Sequence, residues 1–156
     1  MKAASLKELK TELQLLHHDR IIELCMHMIK FRKENKELLT YLLFESDDEQ
    51  AYIEGVKSEM NELFKDVNKS NTFYAKKTVR KILRLTNKYI KYSGSKQTEA
   101  DLLLSFCKHL KSLRLPLTEN TLLGNLYRRQ TIRIKKALAT LHEDLQYDYT
   151  EELQNL

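Results

Sequence analysis

Apolar residues recur every three or four positions along most of this chain, and strict two-residue alternation is absent. That period belongs to one face of an α-helix, so the pattern predicts helix almost throughout. We place the helices at about 5–16, 19–32, 34–45, 47–67, 72–93, 98–113 and 119–142, with a short terminal helix from about 144. The pattern leaves open whether the second and third are one kinked helix.

Capping residues mark where several helices begin. Ser5 precedes Glu8 by three positions and Ser46 precedes Glu49 by three, which is the spacing of a capping box. Asp19, after the two adjacent histidines, is the predicted cap of the second helix. These signals set the start of the first, second and fourth helices.

Glycine and proline are scarce, with three and one in 156 residues, so loops should be few and short. Gly94 stands where the fifth helix would need a left-handed C-cap, and Pro116 is the one proline stop. Gly55 and Gly124 fall inside helical patterns, where each costs about 1 kcal/mol relative to alanine. We expect close helix crossings to compensate, with ordinary tolerance or a ligand contact as alternatives.

The fold class follows from helix number and loop length. Short connections between successive amphipathic helices force neighbours to run antiparallel, and 156 residues suit one domain. We therefore predict an all-α protein, a single domain over residues 1–156, folded as an irregular antiparallel bundle of about six to eight helices. A short stack of helix hairpins is the alternative, although no internal repeat is visible.

The apolar run Tyr41, Leu42, Leu43 and Phe44 is expected to lie in the core. Its exposure would instead favour a protein interface or a homodimer.

The segment Leu6–Leu9, Leu24 and the run 33–45 carry lysine, glutamate and leucine at helical spacing. In these residues, which cover the first third of the chain, the sequence resembles a group of small, functionally uncharacterised bacterial helical proteins. The resemblance implies a helical bacterial protein and supplies no activity or site residues.

Cysteine use and the N-terminus predict the compartment. Cys25 and Cys107 lie inside apolar helical patterns without metal-type spacing, which is typical of reduced cytosolic thiols. The first eight residues lack the apolar core of a signal peptide. The longest apolar stretch, 38–44, is about a third of the roughly 20 residues that a membrane span needs. We expect a cytoplasmic protein without a membrane segment.

The formal net charge of +5 hides a strong segregation. Residues 1–68 carry 10 basic and 14 acidic side chains, residues 69–136 carry 17 and 3, and residues 137–156 carry none and five. The middle of the chain is therefore a basic block between two acidic ones.

The fifth helix holds most of this block. Seven cations fall within an arc of about 140° on a helical wheel: Lys76, Lys77, Arg80, Lys81, Arg84, Lys88 and Lys91. The opposite arc, of about 120°, is predicted to pack: Val79, Ile82, Leu83, Thr86, Tyr89 and Ile90. Tyr74 and Tyr92 lie at the edge of the cationic stripe, where a ring could stack on a base or cover apolar surface.

The seventh helix carries a second cationic set: Arg128, Arg129, Arg133, Lys135 and Lys136. Lys108, Lys111 and Arg114, in and just after the sixth helix, form a third cationic set. If these helices pack together, the three sets would merge into one positive surface that contacts several phosphates. The plain interpretation is a solvated face, or one matched by the acidic flanks. Nucleic acid and an acidic protein are the alternatives.

No local pattern predicts catalysis or metal binding. His17 and His18 point about 100° apart on a helix. Cys25 and His27 are two positions apart and therefore point to opposite sides, as do Cys107 and His109. Glu-x-x-His motifs and phosphate-binding glycine loops are missing. We predict no enzyme activity, no metal site and no cofactor.

The leading hypothesis is therefore a non-enzymatic protein-interaction module whose contact region is the basic surface of the fifth and seventh helices. The alternative is non-specific binding of nucleic acid or another polyanion through the basic face of residues 69–136, with Lys76, Lys77, Arg80, Lys81, Arg84, Lys88, Arg128, Arg129 and Arg133 touching phosphates. The partner is unidentified, and self-association stays open.

Overall fold

The computed structural model describes all 156 residues as eight helices without strands, 78% helical overall. The helices are α1 Leu6–Gln14, α2 His18–Phe31, α3 Lys33–Thr40, α4 Glu49–Lys65, α5 Thr72–Ser93, α6 Lys96–Ser112, α7 Leu122–Leu138 and α8 Glu143–Gln154. A π-helical turn, Tyr41–Glu45, follows α3. The predicted all-α class is confirmed.

Residues 1–44 and 45–156 form two compact units, which are described in turn. In the first unit α2 packs against α3, and the Asn35 side-chain amide donates to the Met28 carbonyl at 2.8 Å. Arg32, between them, is extended with φ −145° and ψ 142°, so α2 and α3 are two helices and not one kinked helix. None of the three helices contains a buried residue.

The run after α3 does not form a core as predicted. Tyr41 is 5% exposed, but Leu42, Leu43 and Phe44 are 52%, 60% and 79% exposed. The expectation was wrong for three of the four residues, because the first unit has no second layer to cover them.

The second unit is built around α6, against which α4, α5 and α7 all pack. Its buried side chains cover an arc of about 200° at 100° per residue, wider than the apolar stripe of a surface helix: Leu102, Leu103, Leu104, Phe106, Cys107 and Leu110. Phe64 of α4 packs its ring 5.5 Å from that of Phe106. Helices α5 and α7 both pack against α6, and the Arg133 guanidinium of α7 reaches Asn87 of α5 at 2.7 Å.

Contacts between side chains give the helix directions. The Ser93 and Thr98 hydroxyls both donate to Glu49, and the Tyr52 hydroxyl donates to the Tyr89 carbonyl at 3.0 Å. Glu49 at the start of α4 meets Ser93 at the end of α5, and Tyr52 further along α4 meets Tyr89 further back in α5. The two helices therefore run antiparallel.

Two further tethers fix α6. The Asp101 carboxylate accepts from Tyr149 of α8 at 2.5 Å and pairs with Lys57 of α4 at 3.2 Å. Because Phe64 lies further along α4 and meets Phe106 further along α6, these two helices run parallel. The alternating directions of α4, α5 and α6 match the predicted antiparallel arrangement.

Two predicted caps are confirmed. Ser5 and Glu8 form a complete capping box, with the Ser5 amide donating to the Glu8 carboxylate at 2.7 Å. Gly94 ends α5 in the left-handed region with φ +67°. Both motifs satisfy backbone groups that a helix end leaves unpaired.

Two predicted caps are wrong. The N-cap of α4 is Asp48, whose carboxylate accepts from the Ala51 amide at 3.0 Å, and not Ser46. The π-helical turn before it delays the start of α4. Asp19 lies in the first turn of α2, where its charge suits the helix dipole, because the N-cap is His17.

The two helical glycines have different surroundings, and neither faces a helix crossing. A Cβ on Gly55 would meet nothing within 4 Å. A Cβ on Gly124 would lie 2.0 Å from the Thr118 carbonyl oxygen and 2.6 Å from that of Leu117. The close approach at Gly124 is therefore to the loop before α7. Thr121, the N-cap, holds that loop by donating to the Thr118 carbonyl at 2.9 Å.

Candidate functional site

Helix α5 carries the predicted cationic stripe on a face turned away from the core. Its N-cap, Asn71, accepts from the Phe73 amide at 3.0 Å and the Tyr74 amide at 3.2 Å. The predicted packing arc is confirmed: Val79, Ile82, Thr86 and Ile90 are buried, and Leu83 and Tyr89 are half-buried. Burial of one face leaves the lysines and arginines on the other.

Most of the stripe is exposed and without ion pairs. Lys77, Arg80, Lys81, Arg84 and Lys91 are exposed, and Lys76 is half-buried. None of these six forms an ion pair. The stripe is therefore not matched by acidic side chains of its own chain.

The acidic C-terminal helix instead reaches α6. Glu152 pairs with Lys108 at 2.7 Å, and Tyr149 donates to Asp101. This occupies a cation of the third predicted set and leaves α5 to solvent or to a partner.

Four cations of the stripe converge in a groove between α5 and α7, which we call the cationic groove. Its volume is about 590 Å³. Helix α5 contributes four cations, one amide and two apolar side chains to its lining, and α7 contributes two leucines: Phe73, Lys76, Lys77, Arg80, Leu83, Arg84, Asn87, Leu122 and Leu126. The groove therefore offers both positive charge and apolar surface.

Two aromatic rings stand at the start of α5 beside these cations. Phe73 is 71% exposed and Tyr74 is 55% exposed, with their rings edge to face at 5.7 Å. Tyr74 was singled out from the sequence, whereas Phe73 was not. A large apolar ring two residues after the Asn71 cap was the signal that could have found it.

The other predicted edge ring belongs to a different cluster. The Lys88 ammonium lies 5.0 Å from the Tyr89 ring centre and 5.9 Å from that of Tyr92. Such cation–π contacts hold Lys88 against the helix surface. Lys88 and Tyr92 do not line the cationic groove.

Arg133 of α7 is a structural residue. Its guanidinium donates to Asn87 of α5 at 2.7 Å, to Gln130 at 3.0 Å and to Glu99 of α6 at 2.8 Å. These bonds tie three helices together behind the groove. Burial raises the pKa of Glu99, but hydrogen bonds from Lys96 and Arg133 outweigh this and hold it below its usual value. Arg133 is thus committed to an internal partner.

Replacing Arg133 by methionine should lower the free energy of unfolding by about 1–3 kcal/mol, as measured by urea denaturation. Glu99, whose side chain is only 13% exposed, would keep a single cationic partner. Arg133 itself is partly exposed, so solvent screening keeps the loss below that of a fully buried pair. Arg128→Met, on the exposed surface of the same helix, is the control and should change stability by less than about 0.5 kcal/mol.

The pH dependence identifies the carboxylate involved. A depressed Glu99 pKa contributes stability above the unfolded-state pKa of about 4.3, and this contribution is lost as the pH falls through the folded value. The difference between wild type and Arg133→Met should therefore shrink as the pH falls below about 4. A difference that stays constant from pH 7 to pH 3 would contradict the role given to Glu99.

The remaining predicted cations of α7 are exposed at the surface. Arg128, Arg129, Lys135 and Lys136 carry no ion pair, and Arg128 makes one long hydrogen bond, 3.4 Å, to Asn125. None of the four lines the cationic groove. The predicted positive surface therefore has a recessed part on α5 and a scattered part on α7.

The cysteines and histidines do not form a metal-binding cluster. Burial raises the pKa of the Cys107 thiol to about 12, whereas Cys25 is exposed. His109 stacks on Phe64 at 5.1 Å, and burial lowers its pKa. No group of three histidine, cysteine or acidic side chains is placed to hold a metal ion.

No protein-family model, curated protein or solved structure matches the chain. The resemblance to small bacterial helical proteins therefore stays a prediction. None of the eight helices has the length and apolar character that a membrane crossing requires.

Proposed function

We propose that this chain binds a polyanion in the cationic groove, and that the polyanion is single-stranded nucleic acid. One observation carries the proposal: Lys76, Lys77, Arg80 and Arg84 converge without acidic partners in one groove that also exposes an aromatic ring.

The spacing of the cations favours an anionic partner over solvation alone. Lys76 and Arg80, Arg80 and Arg84, and Lys77 and Lys81 are like-charged neighbours four positions apart. Each such pair destabilises a helix by about 0.2–0.5 kcal/mol. A phosphate backbone along the stripe would relieve this repulsion and release the counterions that the phosphates hold.

The aromatic and apolar parts of the groove favour a single strand over a duplex. Phe73 and Tyr74 expose faces on which unpaired bases can stack, and this stacking contributes about 1–3 kcal/mol per base. Leu83, Leu122 and Leu126 give further apolar surface. A duplex keeps its bases stacked on one another and presents only phosphates to such a groove.

The test is fluorescence anisotropy with labelled 20-nucleotide DNA of mixed sequence, single-stranded and duplex, at 50 and 200 mM KCl. We expect micromolar binding to the single strand. If four phosphates are neutralised, log affinity should fall against log salt with a slope of about −2.8 on single strands.

Two matched variants locate the site. The groove variant, Lys76→Glu, Lys77→Glu, Arg80→Glu and Arg84→Glu, should lose at least about 100-fold in affinity at low salt. The control variant reverses four exposed cations outside the groove: Lys111, Arg128, Lys135 and Lys136, each to Glu. It has the same net charge, so equal losses in the two variants would contradict the groove as the site.

A third variant tests the choice of ligand. Replacing Phe73 and Tyr74 by alanine should weaken single-strand binding by about 10-fold and leave duplex binding unchanged. Absence of binding at 50 mM KCl would retire the proposal. Polyglutamate that competes as well as single-stranded DNA would instead favour an acidic protein partner.

A further inference from the structure

The first unit exposes far more apolar surface than its size would lead one to expect. Twelve large apolar side chains between Leu6 and Phe44 are 37–86% exposed: Leu6, Leu9, Leu13, Leu15, Leu16, Ile22, Met26, Met28, Phe31, Leu42, Leu43 and Phe44. Single exposed apolar residues are normal, but a set of this size in 44 residues marks an interaction surface.

Two features of this unit are apolar and accessible. In α1, Leu6, Leu9 and Leu13 recur at intervals of three and four, the spacing that forms the apolar seam of paired helices, and Leu16 continues it just beyond. Between α2 and α3 lies a cavity of about 150 Å³ with an almost wholly apolar lining: Cys25, Met28, Ile29, Asn35, Leu38, Leu39 and Leu42. The unit thus carries both an apolar helix face and an apolar groove.

We propose that residues 1–44 are a self-association surface, in which the α1 seam of one copy packs into the α2–α3 groove of a second copy. A surface that carries both halves of a contact can pair reciprocally, as in a two-fold symmetric dimer. This inference is independent of the nucleic-acid proposal, because it uses a different unit of the chain.

The exposed area is close to what a dimer requires. Burying one such side chain contributes about 1.5–3 kcal/mol at about 25 cal/mol per Å², which corresponds to about 60–120 Å² each. Twelve side chains that are 37–86% exposed supply on the order of 500–800 Å² per copy. A stable interface buries about 800 Å² per partner.

The charge of the first unit also favours a second copy. Residues 1–44 contain eight basic and six acidic side chains, a net charge of only +2 (8 − 6), so two copies do not repel each other strongly. A strongly acidic or basic partner would find no complementary field here. The basic block of residues 69–136, with 17 basic and 3 acidic side chains, would by contrast attract an acidic partner.

Sedimentation equilibrium of the full chain at about 2 to 200 μM tests the proposal, in nuclease-treated protein at 0.5 M KCl so that nucleic acid cannot bridge copies. We expect a species of twice the 18.5 kDa chain mass in the micromolar range. The seam variant Leu9→Glu with Leu13→Glu, and the groove-side variant Met28→Glu, should each weaken dimerisation at least 100-fold. Because these side chains are exposed, each variant should keep the helical circular dichroism of wild type.

Ile132→Glu and Tyr147→Glu, at exposed apolar positions of the second unit, are the controls and should dimerise like wild type. A wild-type chain that stays monomeric at 200 μM would overturn the proposal. So would a dimer that survives both the seam variant and Met28→Glu. If the wild-type chain is monomeric and the seam variant has a lower melting temperature, the α1 seam is covered within one molecule. That result would also overturn the proposal.

Discussion

Replacing Gly124 by alanine is expected to lower the free energy of unfolding by about 3 kcal/mol, whereas the same replacement at Gly55 should raise it by about 0.5–1 kcal/mol. Both glycines lie in helices, so both replacements gain the higher helix propensity of alanine. At Gly124 the new Cβ would lie 2.0 Å from the backbone oxygen of Thr118. Backbone cannot change rotamer, so the loop or the start of α7 must move.

Gly55 is the matched control because its Cβ would enter open space. Chemical denaturation of both variants, followed by far-ultraviolet circular dichroism, measures the two free energies. A Gly124→Ala protein as stable as wild type would mean that the loop from Leu117 to Thr118 does not press on α7. A destabilised Gly55→Ala protein would show that α4 is covered at that position.

Displacement of this loop has a second consequence. Leu122 and Leu126, in the first turns of α7, form one wall of the cationic groove. A shift of α7 at Gly124 would therefore move that wall, while the cations of α5 would stay in place. The Gly124→Ala protein, if folded, should retain the salt dependence of nucleic-acid binding and lose only part of the affinity.

Local chemistry made much of this fold predictable. The Ser5 capping box, the left-handed Gly94 and the packing arc of α5 depend on residues within a few turns of one another, and all three were predicted correctly. The stripe of cations followed from the same helical period. Its concentration on one face required no knowledge of the neighbouring helices.

What the sequence did not reveal depends on contacts between distant segments. Arg133 has the same residue type and helical spacing as Arg129, but only the fold brings it to Glu99 and Asn87. The leucines of α7 line the groove because α5 and α7 both pack against α6 and lie next to each other. Periodicity states which face of a helix is apolar and not whether anything covers that face.

The two units differ in whether their aromatic rings are covered, since Phe106 is fully buried and Phe44 is 79% exposed. Phe106→Ala should lower the free energy of unfolding by about 3–5 kcal/mol, because the ring is fully buried and its loss leaves a cavity. The contact with Phe64 adds about 0.5–1.5 kcal/mol to that loss. For a domain of ordinary stability this is a large fraction of the total.

Phe44→Ala is the matched control, since it removes the same atoms from a ring that is mostly exposed. In dilute protein, where copies do not associate, it should change the free energy of unfolding by less than about 0.5 kcal/mol. At high concentration it should matter more, because an interface between copies would cover the ring. A loss of several kcal/mol in dilute Phe44→Ala would instead place this ring in a core within a single chain and remove the basis for pairing through residues 1–44.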